Sequence, residues 1–439
     1  MVLKIDKLIY GGDGFARLPA NEQGRGKAVF MPFVLAGERV EAVIVEEKSG
    51  YVRARAEKIL AASADRSEPG CPYFQRCGGC HYQHTGYANQ LRIKAEILAE
   101  TLRRGSKIQV EAAQIRVHES PPWNYRNRTR MKVRGGQNFA LGYFCFGSHD
   151  LLAVEQCPIS SPLINRAIQT IWQLGRGGNV SPQVYEIEFF ANQDDSQLLV
   201  EVAISGRAWR AAEKPALADF VAALRSALPA VAGVGVFQGS STGQPVREEI
   251  PPELRDIFGA GQLTYRAGTF KFQVSTGSFF QTNRHLTKTL VDLVTRGRSG
   301  NKALDLYAGT GLFSAPLAQN FRRVTAVEAA DSFFDLKRNT PKNVRAVHNS
   351  TERFGEEAAT GDGYDFVVVD PPRSGLGEKV SGRIGRMSAP RVTYVSCDPS
   401  TLARDLKVLL GAGFQVEEVH LLDLFPQTFH VETVVQLQR

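Results

Sequence analysis

The sequence has no uninterrupted apolar run long enough to cross a bilayer as a helix, which argues against a helical membrane protein. Its opening, Met1-Val2-Leu3-Lys4-Ile5-Asp6-Lys7, is broken by charge, so no export signal is read and a cytoplasmic location is expected. Cysteine is scarce: six in 439 residues are too few for a disulfide scaffold. Internal repeats and low-complexity tracts are also missing, so the chain reads as two or three ordinary globular domains. Acidic residues are outnumbered, and the net charge of +8 favours a polyanionic partner, although a merely basic enzyme would share it.

The first 60 or so residues read as short strands between glycine turns, with Lys27–Met31, Arg39–Val45 and Tyr51–Ala56 the clearest. Several short strands in so small a unit suggest an oligonucleotide-binding barrel. A helix is expected over Asn89–Arg104, where Leu91, Ala95, Leu98 and Leu102 recur at helical spacing. Strands return from Trp123. In Tyr125–Arg134 every second residue is basic, so Arg126, Arg128, Arg130, Lys132 and Arg134 share one face, a stripe whose unrelieved like charge favours RNA contact over a merely solvated face. From about Gly268 strands and helices alternate, as in a parallel sheet covered on both sides.

That last region carries the chemistry. The strand Lys302–Tyr307 runs into Ala308-Gly309-Thr310-Gly311 and a helix, a turn in which missing side chains permit close approach of a nucleotide cofactor. Only two glycines are present, so a diphosphate fingerprint is excluded. Seventeen residues after Gly311 the next strand ends in Glu328, placed to accept both hydroxyls of a ribose. An adenosine without phosphates fits, and S-adenosylmethionine is such a ligand. A third strand delivers Asp370-Pro371-Pro372-Arg373, which puts Asp370 beside the cofactor. Asp-Pro-Pro alone would also suit an amino-group methyltransferase.

The following strand ends at Cys397, ahead of a helix, where a thiol can gain thiolate character. Adding a thiolate to carbon 6 of uracil makes carbon 5 nucleophilic enough to take a methyl group. A general base must then remove the carbon 5 proton. Glu432, at the mouth of the last strand and amid apolar neighbours, is the candidate, with His430 its rival. A non-enzymatic RNA-binding factor with a decayed pocket is the remaining alternative. Separately, Cys71, Cys77, Cys80 and distant Cys157 make four thiolates fit for zinc or a four-iron cluster, and spacing does not separate the two. Cys145 is left over and reads as a small core residue.

Together, Asp305–Gly311, Asp370–Arg373 with Gly375-Leu376, Ser396–Pro399 and Phe425–Thr428 with His430-Val431-Glu432 resemble the RNA 5-methyluridine methyltransferases of the bacterial iron–sulfur type. Two departures stand out: Ala308 where a cysteine is common, and Asp398 for a frequent asparagine. The resemblance implies Cys397 as nucleophile and Glu432 as base. It implies Gln281, Tyr307, Glu328 and Asp370 as contacts of S-adenosylmethionine, and Phe279 as a stacking surface for an extruded base. It implies a [4Fe-4S] cluster on Cys71, Cys77, Cys80 and Cys157. The fold implied is α/β: a Rossmann-like S-adenosylmethionine-dependent methyltransferase domain over 266–439, preceded by a TRAM-type barrel over 1–65 and a β-rich central domain over 66–265. The partner implied is structured RNA, with 23S ribosomal RNA ahead of transfer RNA, bound by a monomer.

Overall fold

The computed structural model describes residues 1–19, 26–205, 214–239, 253–357 and 363–439. The N-terminal strands form a six-stranded sheet in the order Val2–Lys4, Arg39–Glu47, Tyr51–Ala61, Ala28–Pro32, Asp13–Arg17, Lys7–Leu8. Period-two alternation turns Val29, Met31, Val40, Ala42, Val52 and Ala54 into one small core. The three strands read from the sequence are all present; Tyr51–Ala61 is about twice its expected length because three register shifts against Arg39–Glu47 let it bend.

A seven-stranded sheet follows, built from Arg128–Arg134, Ala140–Phe144, Leu151–Ala153, Val184–Ala191, Leu198–Ser205, Val231–Gly239 and Glu253–Gly259. Helices Pro162–Arg176 and Lys214–Ala227 cover one of its faces. Ser161 caps the first of them, accepting from the N–H of Ile164, and Pro162 stands at its first turn, where its missing N–H is not needed.

The C-terminal half holds an eight-stranded sheet in the order Val344–His348, Phe321–Glu328, Gly300–Leu306, Phe366–Val369, Arg391–Ser396, Glu432–Gln438, Gln415–Leu422, Arg116–His118. Its first five strands are parallel, which needs crossover helices and buries both faces, so Phe366–Val369 is apolar throughout. The last of the five is followed by the antiparallel strand Glu432–Gln438. The helix expected at 89–104 spans Tyr87–Ser106. It packs on helix Pro399–Gly411 so closely that a Cβ on Gly105 would stand 2.7 Å from that of Ala403. Strand Arg116–His118 joins the edge of the same sheet. Residues 87–118 therefore attach to the C-terminal layer, although they precede the central sheet in the chain. No helix among the described residues is long and apolar enough to cross a membrane.

Candidate active site

Registry places the functional side chains. Leu306 pairs with Val369 and Val369 with Tyr394, so the parallel strands end together at one edge. Tyr307, Glu328, Asp370 and Cys397 lie at or just beyond that edge. The antiparallel strand enters there: the ladder ends at the pair Ser396 and Thr433, so Cys397 and Glu432 are the next residues on their chains, close enough for the charge of Glu432 to act on the thiol. A parallel neighbour could not have begun with its first residue at this place.

Cys397 is partly buried, and its thiol is pushed up to about 12 by burial, then by the charges of Glu432, Asp370 and Asp398, with Arg373 opposing them. Burial and these acids thus act against the thiolate character expected from its place ahead of a helix. Burial weighs most, and Asp398 adds least, from its place as the cap of helix Pro399–Gly411, where it accepts from the N–H groups of Ser400 at 2.9 Å and Thr401 at 3.0 Å. Its carboxylate occupies the helix terminus that would otherwise favour a thiolate. Glu432 is fully enclosed, and burial followed by the charge of Asp370 raises its carboxyl well above the ordinary range. Asp370 rises to about 7 through burial and Asp305. His430 is depressed to about 3 by burial and by Arg373, whose guanidinium donates to Nδ1 at 3.0 Å.

Around the glycine turn, Tyr307 adopts a left-handed φ of 62°, a strained state for a side chain of that size. Gly309 follows with φ 54°, and a Cβ there would meet nothing within 4 Å, so the backbone lies open to a ligand. One oxygen of Glu328 faces this turn, accepting from Gly309 N–H, while the other accepts from Ala330 N–H of its own loop, each at 2.7 Å. Asp305 is buried beneath it: Oδ2 accepts from Ser314, while Oδ1 has no partner. Its pKa is lifted to about 7, chiefly by burial. A buried orphan acceptor, an open backbone and a carboxylate at a strand end fit a phosphate-free nucleoside bearing an ammonium group. Asp305 was not singled out from the sequence, though its place as the only acid inside an apolar strand was a signal.

Gln281, half-buried, lies in the loop Ser278–Asn283, where Phe280 is anchored against Tyr265 and Phe272 while Phe279 is 66% exposed. This loop is held from the central sheet. Arg128 donates to Ser278 O, Glu201 accepts from Gly277 N–H at 2.7 Å, and Asn127 N–H donates to Thr282 O at 3.1 Å.

The basic stripe is not free, which corrects the reading of five unrelieved cations. Strand Val184–Ala191 lies alongside in a register that sets Glu186 against Lys132 and Glu188 against Arg130. Arg128 is buried and bonded to Glu188, Arg130 reaches Glu186 and Glu188, and Lys132 bonds Glu186. Arg126 turns its Nε to Arg128 O at 2.9 Å. Arg134 is exposed, with no ion-pair partner among the described residues.

Cys71, Cys77, Cys80 and Cys157 line one cavity of about 240 Å³, together with Arg126, Arg130 and Tyr143. Among the described residues no three acidic, histidine or cysteine side chains converge tightly enough to hold a single metal ion. Burial raises the thiols of Cys71, Cys77 and Cys80, each further raised by Cys157. The segment leans on the loop before strand Glu432–Gln438: directly after Cys80, the N–H groups of His81 and Tyr82 both donate to Gln427 O, at 2.8 and 3.0 Å. Tyr10 of the N-terminal sheet reaches the same region, donating to Cys397 O at 3.4 Å and meeting Phe429 edge-on. Nothing in the sequence around Tyr10 or Gln427 marks these contacts as long-range.

The profile of the tRNA (uracil-5-)-methyltransferase family matches residues 86–439. A 23S rRNA (uracil(1939)-C(5))-methyltransferase RlmD from Thiobacillus denitrificans is 32% identical, over 100% of this chain and 99% of its own. The RlmD of Pseudomonas putida is 31% identical, covering 98% and 92%. Among solved structures, the Pyrococcus abyssi tRNA (uracil-54, C5)-methyltransferase in complex with S-adenosyl-L-homocysteine superposes with a TM-score of 0.75 at 22% identity, covering both chains completely.

Proposed function

The chain belongs to the tRNA (uracil-5-)-methyltransferase family of RNA-modifying enzymes, and we propose that it methylates carbon 5 of a uridine in 23S ribosomal RNA through a covalent bond to Cys397. The observation that carries the covalent mechanism is the ladder between Ser396 and Thr433, which brings a thiol and a buried acid close together at the cofactor edge. An amino-group methyltransferase needs neither. The choice of 23S RNA over transfer RNA follows the relatives that span the whole chain at 31–32% identity.

S-adenosylmethionine supplies an electrophilic methyl group when bound. Glu328 would take the ribose hydroxyls, Asp305 the ammonium, and the Tyr307–Gly309 backbone, Asp370 and Gln281 the remainder. Phe279 offers its exposed ring to a base drawn out of the RNA. Cys397 adds to carbon 6 after losing its proton, an ionisation that Arg373 favours and the neighbouring acids oppose. Once carbon 5 has taken the methyl group from the donor sulfur, Glu432 accepts the carbon 5 proton, and the bond between Cys397 sulfur and carbon 6 breaks. His430 is a poor rival because Arg373 engages its Nδ1.

The same reading assigns residues 1–65 to a TRAM-type barrel, 66–265 to a central domain and 266–439 to a Rossmann-like catalytic domain. It gives Cys71, Cys77, Cys80 and Cys157 to a [4Fe-4S] cluster. Four thiols around a shared cavity could hold a polynuclear group or one zinc ion, and the resemblance to the iron–sulfur type favours the former. Its role is structural, since the segment it would pin supports Gln427.

The test is to incubate the protein with labelled cofactor and either 23S or transfer RNA, then identify the modified nucleoside by mass spectrometry. We expect 5-methyluridine in 23S RNA, and none with Cys397→Ala despite cofactor binding within a few-fold of the parent. Methylation on an exocyclic amine, or turnover by Cys397→Ala near the parent rate, defeats the proposal.

A further inference from the structure

Cys145 is the cysteine that neither the catalytic centre nor the four-thiol cavity uses. It follows strand Ala140–Phe144 and pairs with Cys77 in an isolated antiparallel bridge. The backbone bonds of that bridge flank the pair: Gly78 N–H donates to Phe144 O at 3.0 Å, and Phe146 N–H donates to Arg76 O at 2.7 Å. Cys77 and Cys145 exchange no backbone bond with one another, so they are a non-hydrogen-bonded pair. Residues so placed have Cα atoms about 4.5 Å apart and side chains close together on one face. Disulfides span Cα separations of about 4.4–6.8 Å.

Other features favour reaction at this pair. Both cysteines are partly exposed. Gly79 N–H donates to the sulfur of Cys77 at 3.4 Å, which holds that side chain in place beside the bridge. The turn beyond Cys145 is closed by its own bonds, from Cys145 N–H to Asp150 O and from Ser148 N–H to Cys145 O. The bridge therefore keeps its register without help from the cavity.

We propose that Cys77 and Cys145 form a reversible cross-strand disulfide when a peroxide reaches the protein while Cys77 holds no metal. Cys77 sulfur attacks one peroxide oxygen; the O–O bond breaks, water leaves, and Cys77 becomes a sulfenic acid. Cys145 sulfur then attacks Cys77 sulfur, the S–O bond breaks, and hydroxide leaves with the Cys145 proton as a second water. The two thiols together lose two electrons and two protons, and a dithiol reductant reverses the change. Because Cys77 lines the cavity with Cys71, Cys80 and Cys157, the disulfide withdraws one of the four thiols. It spares Cys77 irreversible oxidation and blocks metal loading until reduction. The metal-free condition and this consequence rest on the cluster reading; the bond itself requires the bridge alone.

The experiment uses full-length protein prepared without oxygen, half kept as prepared and half stripped with a chelator, with iron assayed in each. Both receive a small excess of hydrogen peroxide; free thiols are then alkylated in denaturant and the digest is mapped by mass spectrometry. In stripped protein we expect a peptide pair joined through Cys77 and Cys145, lighter by two hydrogens and separated again by dithiothreitol. In iron-loaded protein the pair should be at least several-fold scarcer. Cys145→Ser and Cys145→Ala should both abolish it and leave Cys77 as sulfinic acid. Cys77 joined mainly to Cys71, Cys80 or Cys157, Cys145 alkylated throughout, or equal linkage in stripped and iron-loaded protein would overturn the proposal. Absence of iron before stripping counts against the cluster, while the linkage in stripped protein still decides the disulfide.

Discussion

Arg373 donates a hydrogen bond to Nδ1 of His430, 3.0 Å away, and the same guanidinium opposes the acids that surround Cys397. One cation thus does two things at the cofactor edge. It occupies the imidazole nitrogen that could have served as a base, and it offsets the acids that hinder ionisation of the nucleophile. Both effects follow from placing the arginine directly after the rigid Pro371-Pro372 turn.

Replacing Arg373 should therefore suppress the thiolate of Cys397. Its positive charge lowers the thiol pKa, so Arg373→Ala raises it and moves the alkylation profile of Cys397 to higher pH. At fixed pH near 8, iodoacetamide labelling should slow roughly tenfold for each unit of displacement. Arg373→Lys keeps the charge and should recover most of the rate. Identical profiles for the parent and Arg373→Ala would show that the charge does not reach the sulfur.

The site was more legible in the sequence than the surface was. Strand ends can be read from apolar runs, and functional groups cluster at the carboxyl ends of parallel strands, so Glu328, Asp370 and Cys397 could be placed together. The position of Glu432 close to Cys397 depends on an antiparallel register between residues far apart in sequence, which no local pattern encodes. The basic stripe misled for the same reason. Alternation within Arg128–Arg134 was correctly seen, but Glu186 and Glu188 lie on a strand more than 50 residues later and neutralise it by pairing. Helix Tyr87–Ser106 was recognised by its period, yet its partner, helix Pro399–Gly411, could not be.

Pairing divides the stripe into residues with different fates. Arg134→Ala should weaken RNA binding and lower the slope of log affinity against log salt by about one. Arg128→Ala should instead destabilise the fold, because it takes from buried Glu188 one of its two cationic partners and leaves Arg130 alone to compensate it. It should also loosen the loop that bears Phe279, through loss of the bond to Ser278 O. Salt-dependent binding and chemical denaturation of both variants check this. A stable Arg128→Ala protein with a reduced salt slope would restore the simpler picture of a bare cationic face.

Lys94 and Asp423 form a fully enclosed ion pair at 2.6 Å, and Lys94 also donates to Phe425 O at 3.0 Å. This joins helix Tyr87–Ser106 to the loop that ends at Glu432. Lys94→Met leaves Asp423 buried and uncompensated, at a cost of about 3–5 kcal/mol, whereas Lys94→Met with Asp423→Leu should regain much of that stability. The double variant should remain slow in methylation, because the bond from helix Tyr87–Ser106 to Phe425 O is still missing, leaving that oxygen to Thr428 alone. Urea unfolding alongside turnover checks both halves; full activity in the stable double variant would assign the pair to stability alone.

Glu432 offers the most discriminating prediction. If it removes the carbon 5 proton, Glu432→Gln should still permit addition of Cys397 to carbon 6 and transfer of the methyl group. The amide cannot take the proton, so elimination stalls and a covalent complex of protein with already methylated RNA accumulates. On a denaturing gel this appears as a shifted band carrying label from the cofactor. Burial and then Asp370 hold the Glu432 carboxyl protonated beyond the ordinary carboxylate range, so its basic form appears only as pH rises. Release of free methylated RNA by the parent should therefore accelerate with pH. Asp370→Asn removes a neighbouring negative charge, lowers the pKa of Glu432 and should shift that acceleration to lower pH, even if cofactor affinity falls. His430→Ala should trap nothing, since its Nδ1 is engaged by Arg373 and burial keeps the ring neutral. Free methylated RNA released at parental speed by Glu432→Gln, with a trapped band in His430→Ala instead, would transfer the role of base to the imidazole.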